Sequence, residues 1–140
     1  MHRRAFFLIA ASLFAGVALP AAAQAPQPAN RLVIQVNEED TKKWNGVLGN
    51  INNIRAELKG QVAFTVVAIG PGLGLLTADS LVANKVEDAL AEGVRFVACG
   101  NSMQAVNMAA DDLVKGVTVA RAGYVEILRL QQQGWTYLRP

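Results

Sequence analysis

Four glycines, Gly60, Gly93, Gly116 and Gly134, each stand where a helical spacing of apolar residues gives way to a strand-like run. A helix that stops and turns into a strand commonly ends in left-handed backbone, which glycine adopts without a Cβ penalty. The punctuation predicts helices and strands in strict alternation from Arg31 to Pro140. Strands are expected at Arg31 to Val36, Gln61 to Ile69, around Phe96 to Ala98, Val117 to Ala120 and Trp135 to Leu138. Between them, Trp44, Val47, Leu48, Ile51, Ile54 and Leu58 mark a first helix, and Val82, Val86, Ala89 and Leu90 a second, opened by Asp79 or Ser80. Ser102 to Ala110 form a third helix with a further turn at Asp111 to Lys115, and Tyr124, Ile127, Leu128 and Gln131 set the face of a fourth. Five strands alternating with four helical segments specify an α/β fold, a layered sandwich around a mainly parallel five-stranded sheet with helices on both faces. Strand order is not readable from this pattern.

In such sheets the loops at the carboxyl ends of the strands gather on one edge, where ligands bind. Asn37 to Asp40, Gly70 to Gly74, Cys99 to Ser102 and Arg121 to Gly123 are the four loops expected to meet there. Cys99 is the single cysteine of the chain and the strong nucleophile of the group. It lies on a strand-to-helix seam, with Asn101 as the expected N-cap and Gln104 completing a capping-box pattern. Unpaired N–H groups and the positive end of a helix favour a thiolate, lowering the pKa below about 8.5. The alternative is a structural cysteine, a small hydrophobe in the core.

The N-terminus bounds the compartment. Met1-His2-Arg3-Arg4 is a short basic start, Ala5 to Leu19 is almost unbroken apolar sequence, and Pro20-Ala21-Ala22-Ala23-Gln24 offers small residues for cleavage. Residues 1–23 read as a secretory signal peptide cut after Ala23, with Ala25 as a second site; 24–30 read as a flexible leader and 31–140 as the domain. The apolar run is short for a membrane span of about 20 residues, so no stable membrane insertion is expected after cleavage. Arg3 and Arg4 leave with the signal while all eleven acidic residues stay, so the mature chain is close to electroneutral. The precursor pI near 8.9 then gives no support for nucleic-acid binding, and no basic cluster exceeds Lys42-Lys43. The one histidine, His2, is lost as well, which excludes a Ser-His-Asp triad, a Cys-His dyad or a histidine metal site within the mature chain. One cysteine also excludes an internal disulfide.

Gly70-Pro71-Gly72-Leu73-Gly74 matches neither the dinucleotide fingerprint nor a Walker A sequence. The preferred reading is a tight turn that lets backbone approach the cysteine loop closely; cradling of a small anion such as a sulfur oxyanion is the alternative. Glu38, Glu39 and Asp40 are candidates for a general base, but capping is the preferred role, for Asp40 above all. Asn45, Asn50, Asn52 and Asn53 are poor helix formers on the first helix, read as contacts to loops or to a neighbouring subunit. Met103 and Met108 read as core or interface filler. Trp135 and Tyr137 are expected to cover a sheet edge or an oligomer contact.

Ala98-Cys99-Gly100-Asn101-Ser102-Met103, Val67-Ala68-Ile69-Gly70-Pro71-Gly72-Leu73-Gly74 and Gly134-Trp135-Thr136-Tyr137-Leu138-Arg139-Pro140, in this order and spacing, resemble the DsrE/DsrF-like family. The likeness is to its exported single-domain branch and covers Arg31 to Pro140. It implies a three-layer α/β/α sandwich, assembly into homo-oligomers, and a cysteine, aligned with Cys99, that carries sulfur as a persulfide between partner proteins. The relay members act in the cytoplasm, whereas this chain opens on an export signal.

The reading that joins these observations is a periplasmic sulfur carrier. Cys99 acts as thiolate and persulfide, and Gly70, Gly72, Leu73, Gly100, Asn101 and Ser102 shape its pocket. No base, metal or cofactor is expected, because transfer between sulfurs needs a thiolate and an accessible sulfur electrophile. A sulfur donor or acceptor protein is the implied partner. The competing readings are an oligomeric small-ligand-binding module with a structural cysteine, and a redox sensor that forms an intermolecular disulfide.

Overall fold

The computed structural model describes residues 28–140. The segment read as a signal peptide and the leader as far as residue 27 lie outside the described residues. In chain order the elements are β1 (Asn30–Val36), α1 (Thr41–Glu57), β2 (Val62–Ala68), a 3-10 helix (Gly70–Leu76), α2 (Ala83–Ala91), β3 (Arg95–Cys99), α3 (Gly100–Ala105), a short 3-10 turn (Ala110–Asp112), β4 (Thr118–Ala120), α4 (Gly123–Gln132) and β5 (Thr136–Leu138). Gly60, Gly93, Gly116 and Gly134 all take φ between +76° and +102°, the left-handed stops that their positions require. Among the described residues, no helix is long and apolar enough to cross a membrane.

The strands form one sheet in the order β4-β3-β2-β1-β5, and every pairing is parallel. From β1 to β4 the chain steps across the sheet in one direction. Right-handed crossovers then place the connecting helices on a single face. The last connection reverses, carrying the chain back past three strands to lie beside β1, so its helix must cross the other face. The packing follows this rule. Trp44, Val47, Leu48 and Ile51 of α1, Val86 and Ala89 of α2, and Met103 of α3 share one core with Ile34, Phe64, Val66 and Phe96. Ile127 and Leu130 of α4 pack on the opposite face, with Val33, Val67, Val97 and Cys99. Strand β2 lies in the middle of the sheet and is buried on both faces, the reason its sequence is a near-continuous apolar run.

Local chemistry sets most boundaries. Asp40 caps α1, its Oδ1 accepting from the N–H groups of Lys42 (2.8 Å) and Lys43 (3.1 Å). Three expectations are corrected. The anticipated capping box does not form: α3 starts at Gly100 with Cys99 itself in the N-cap position, and no side chain caps it. The same helix ends at Ala105 rather than Ala110, because Asn107 takes a left-handed φ of 52° and Met108 N–H returns to Met103 O at 2.9 Å. Finally, α2 opens at Ala83 rather than near Asp79 or Ser80, since Thr77 pairs with Leu113, Ala78 N–H donates to Asp112 O, and the residues between form turns closed by Ser80 N–H to Thr77 O and Ala83 N–H to Ser80 O.

The glycine-rich stretch is a 3-10 helix, with Leu73, Leu75 and Leu76 driven into the core. Its backbone meets the cysteine loop at Gly70, whose N–H donates to Ser102 Oγ, while Gly72 lies against the end of β1: a Cβ on Gly72 would overlap Val36 O and lie 3.0 Å from Asn37 N. A backbone oxygen has no rotamer through which to yield. Gly72→Ala is therefore expected to destabilise the fold by about 2–3 kcal/mol. Gly46 is the internal control: it lies within α1 with open space around it, so Gly46→Ala is expected to stabilise by about 0.5–1 kcal/mol. Denaturant unfolding of both variants checks the opposite signs; a neutral Gly72→Ala contradicts the close approach.

Candidate functional site

Reversal of the chain's direction creates the site. The loop leaving β3 turns to α3 on one face, whereas the loop leaving the neighbouring strand β4 turns to α4 on the other. Adjacent strands whose loops part in this way open a crevice at their carboxyl ends, the usual ligand position in open α/β sheets. Cys99 is the last residue of β3 and stands at that parting.

Its side chain points to the α4 face, beside Ile69, Val97 and Ile127, and is only 4% exposed. Polar groups nevertheless reach the sulfur. Gly123 N–H, the first of α4, donates to Cys99 Sγ at 3.2 Å. Glycine is needed there, since a Cβ would lie 2.7 Å from Ile69 Cγ1 and 3.1 Å from Cys99 Cβ. Burial pushes the thiol up, but the hydroxyl of Ser102 and the N–H of Gly123, aided by the nearby N–H groups at the start of α3, which make no capping hydrogen bond to the sulfur, outweigh it and bring the thiol below its ordinary value. Ser102 Oγ accepts from Gly70 N–H at 2.9 Å, which leaves its own hydrogen free to turn towards the sulfur. The arrangement favours the ionised form of a sulfur that is shielded from bulk water.

Of the residues singled out from sequence, Gly100, Asn101, Ser102 and Gly70 are gathered around Cys99. Gly100 passes beneath the end of β4, where a Cβ would meet Ala120 O at 3.2 Å, and Asn101 N–H donates to Arg121 O at 2.9 Å. Gly72 and Leu73 lie apart: Gly72 packs on Val36 with its N–H given to Ile69 O, and Leu73 is in the larger core. Glu38 pairs with Lys43 (3.4 Å) and Arg139 (3.5 Å). A hydrogen bond from Asn37 N–H, helped by those cations, holds its carboxyl below the ordinary value, which makes it a weak base. Among the described residues, no group of three or more His, Cys, Asp or Glu side chains is placed to hold a metal ion.

Sequence reasoning missed Gly123 as a site residue, although the loop containing it was placed on the correct edge. It also missed a polar belt around the end of β1. Gln35, 3% exposed, accepts from Tyr137 O–H (2.7 Å) through Oε1 and donates through Nε2 to Asn37 Oδ1 (2.6 Å) and, at 3.5 Å, to Tyr124 Oη. Asn37 Nδ2 donates to the same Tyr124 oxygen at 3.2 Å. Tyr124 follows Gly123, so this belt ties the first turn of α4 to the sheet. A polar residue inside an otherwise apolar strand, Gln35, was the available signal. On the outer side of α4, a cavity of about 390 Å³ is lined by Ala120, Arg121, Ala122, Val125, Glu126 and Arg129.

Residues 48–140 match the model of the DsrE/DsrF-like family. No curated protein matches the sequence. Among solved structures, a protein of unknown function, MTH1491 from Methanobacterium thermoautotrophicum, is 37% identical, superposes with a TM-score of 0.76, and is matched over 79% of this chain and 99% of its own. The conserved protein BT1422 from Bacteroides thetaiotaomicron (18% identity, TM-score 0.64, 84% of this chain and 100% of its own) shares the fold. So does the ychN protein from E. coli (14% identity, TM-score 0.67, 79% and 99%). With the family model spanning most of the domain and a solved relative at this identity, the chain belongs to the DsrE/DsrF-like family, a family associated with sulfur relay.

Proposed function

We propose that this protein is a periplasmic sulfur carrier in which Cys99 alternates between thiolate and persulfide. The observation that carries the reading is the set of donors around the sulfur, Gly123 N–H at 3.2 Å foremost, which favours the ionised thiol despite its burial. The location follows from the export signal read in residues 1–23.

In the loading step the Cys99 thiolate attacks the outer sulfur of a donor persulfide, R–S–SH. A new S–S bond forms at Cys99, the donor S–S bond breaks, and the donor leaves as R–S⁻ with the proton still on the transferred sulfur. Thiosulfate serves the same step with sulfite as the leaving group. Discharge is the reverse attack by an acceptor thiolate on the terminal sulfur, which returns Cys99 to thiolate. Neither step needs a general base, which suits a mature chain without histidine. Because the load enters and leaves through other thiols, the carrier works with a donor and an acceptor protein, and as a homo-oligomer in keeping with its family resemblance.

A second reading, an oligomeric ligand-binding module with Cys99 as structural filler, draws on the sulfur's burial among Ile69, Val97 and Ile127. The two part on chemistry. Incubation with thiosulfate or a small persulfide, followed by intact mass spectrometry of native protein, is expected to add one sulfur to wild type and none to Cys99→Ser. No adduct, or an equal one on Cys99→Ser, rejects the carrier.

Thiol acidity gives two further expectations. Ser102→Ala removes a donor to the sulfur, so the midpoint of the pH–rate profile for Cys99 alkylation is expected to move up, with Ser102→Thr restoring it. An unmoved midpoint removes Ser102 from the site. The folded thiol also titrates below the unfolded one, so the folded state binds fewer protons between the two values. Stability is then expected to rise with pH from the folded value to about 8.5 and to level off above it; the contribution is lost as pH falls through the folded value. Unfolding midpoints across this window are expected to show the slope in wild type and its absence in Cys99→Ser.

A further inference from the structure

The sulfur of Cys99 does two jobs at once. The N-cap residue of α4 is Ala122, whose side chain accepts no hydrogen bond, and the first N–H of the helix, that of Gly123, is given to Cys99 Sγ instead. A thiol on a neighbouring strand therefore fills part of the role that a serine or aspartate cap fills elsewhere.

The segment that precedes this cap also covers the sulfur. Ala120 pairs with Cys99 across the sheet and packs on the same small core. β4 is a three-residue edge strand bonded to β3 alone, and both Thr118 and Val119 are exposed. Beyond it, Arg121 O is held by Asn101 N–H, and Gly123 lies against Cys99 Cβ and Ile69. Both contact points are glycines facing closely packed neighbours, Gly100 beneath Ala120 and Arg121, and Gly123 above Cys99 and Ile69. Beneath this segment Cys99 is 4% exposed. Short, singly paired edges of this kind open at low free energy compared with the body of a sheet.

We propose that Ala120–Gly123 is a lid over Cys99, latched by the Gly123 N–H to sulfur hydrogen bond, which lifts for a reagent to enter and stays displaced while the sulfur carries a substituent. The lid turns the chemical state of one buried atom into a change at the surface, where Val119, Tyr124 and Val125 are already exposed. Its last step, displacement by a bound sulfur, rests on the carrier reading; the lid itself does not.

The test measures alkylation of Cys99 in the full mature chain by iodoacetamide, alongside amide hydrogen exchange. Gly123→Ala, and the milder Gly100→Ala should the first fail to fold, wedge the lid from its two sides. Each is expected to speed alkylation at least about tenfold under native conditions. Leu48→Ala, which loosens the core on the opposite face of the sheet, is expected to leave the native-state rate within about twofold of wild type. After carbamidomethylation of Cys99, amides from Arg121 to Tyr124 are expected to lose protection while those of β2 keep theirs. Alkylation unchanged in both glycine variants, equal acceleration in Leu48→Ala, or undisturbed lid amides after modification overturns the lid. A lid that opens in a protein taking no sulfur from thiosulfate rejects the carrier alone; sulfur uptake with undisturbed lid amides rejects the lid alone.

Discussion

The hydrogen bond from Gly123 N–H to the sulfur of Cys99 joins the two halves of this fold. Cys99 ends β3, the next-to-last strand of the progression that steps in one direction across the sheet, and Gly123 begins the helix that brings the chain back over the other face. Only at that reversal do two helices begin on opposite sides of adjacent strands. The position of the thiol is thus a consequence of topology. Its lowered pKa is a consequence of what topology delivers, the hydroxyl of Ser102 from one side and the N–H of Gly123 from the other.

Holding α4 in place is then a functional requirement, and three contacts meet it. Ile127 and Leu130 bury its apolar side on Val33 and Val67. One turn after Gly123, Glu126 is 6% exposed and neutralised by Arg95 (2.9 Å) and Arg129 (2.7 Å), so its charge is satisfied where it is taken from water. On the other flank, Tyr124 meets Gln35 and Asn37, and Tyr137 closes the belt from the edge strand β5. None of these residues touches the sulfur. They set where the first N–H of the helix lies, which for a hydrogen bond to a buried thiol is what matters.

The alternation of elements was legible because helical and strand periods differ, and because glycine marks each changeover. The Asp40 cap was legible for the same local reason: its side chain reaches the N–H groups two and three residues on. What escaped was everything decided at a distance. Asn101 has the chemistry of an N-cap, yet α3 begins before it, since Gly100 lets the chain slip under Ala120 and the Asn101 N–H goes to Arg121 O. Gly72 was rightly read as a close approach, but its partner is Val36, which lies beside the 3-10 helix only because β1 and β2 are neighbours. Gly123 was visible as a glycine before a helix; its bearing on Cys99 requires knowing that β4 lies next to β3.

Everything chemical in this account depends on sulfur that is ionised more readily than in an unfolded chain. Ultraviolet absorbance of the thiolate, titrated against pH in the native mature protein with Cys99→Ser as the blank, reads that property directly. A midpoint below the one measured for the same chain in denaturant is the result the donor set around Cys99 requires. A midpoint equal to it or higher would mean that burial outweighs Ser102, Gly123 and Asn101, and that the cysteine serves the fold alone.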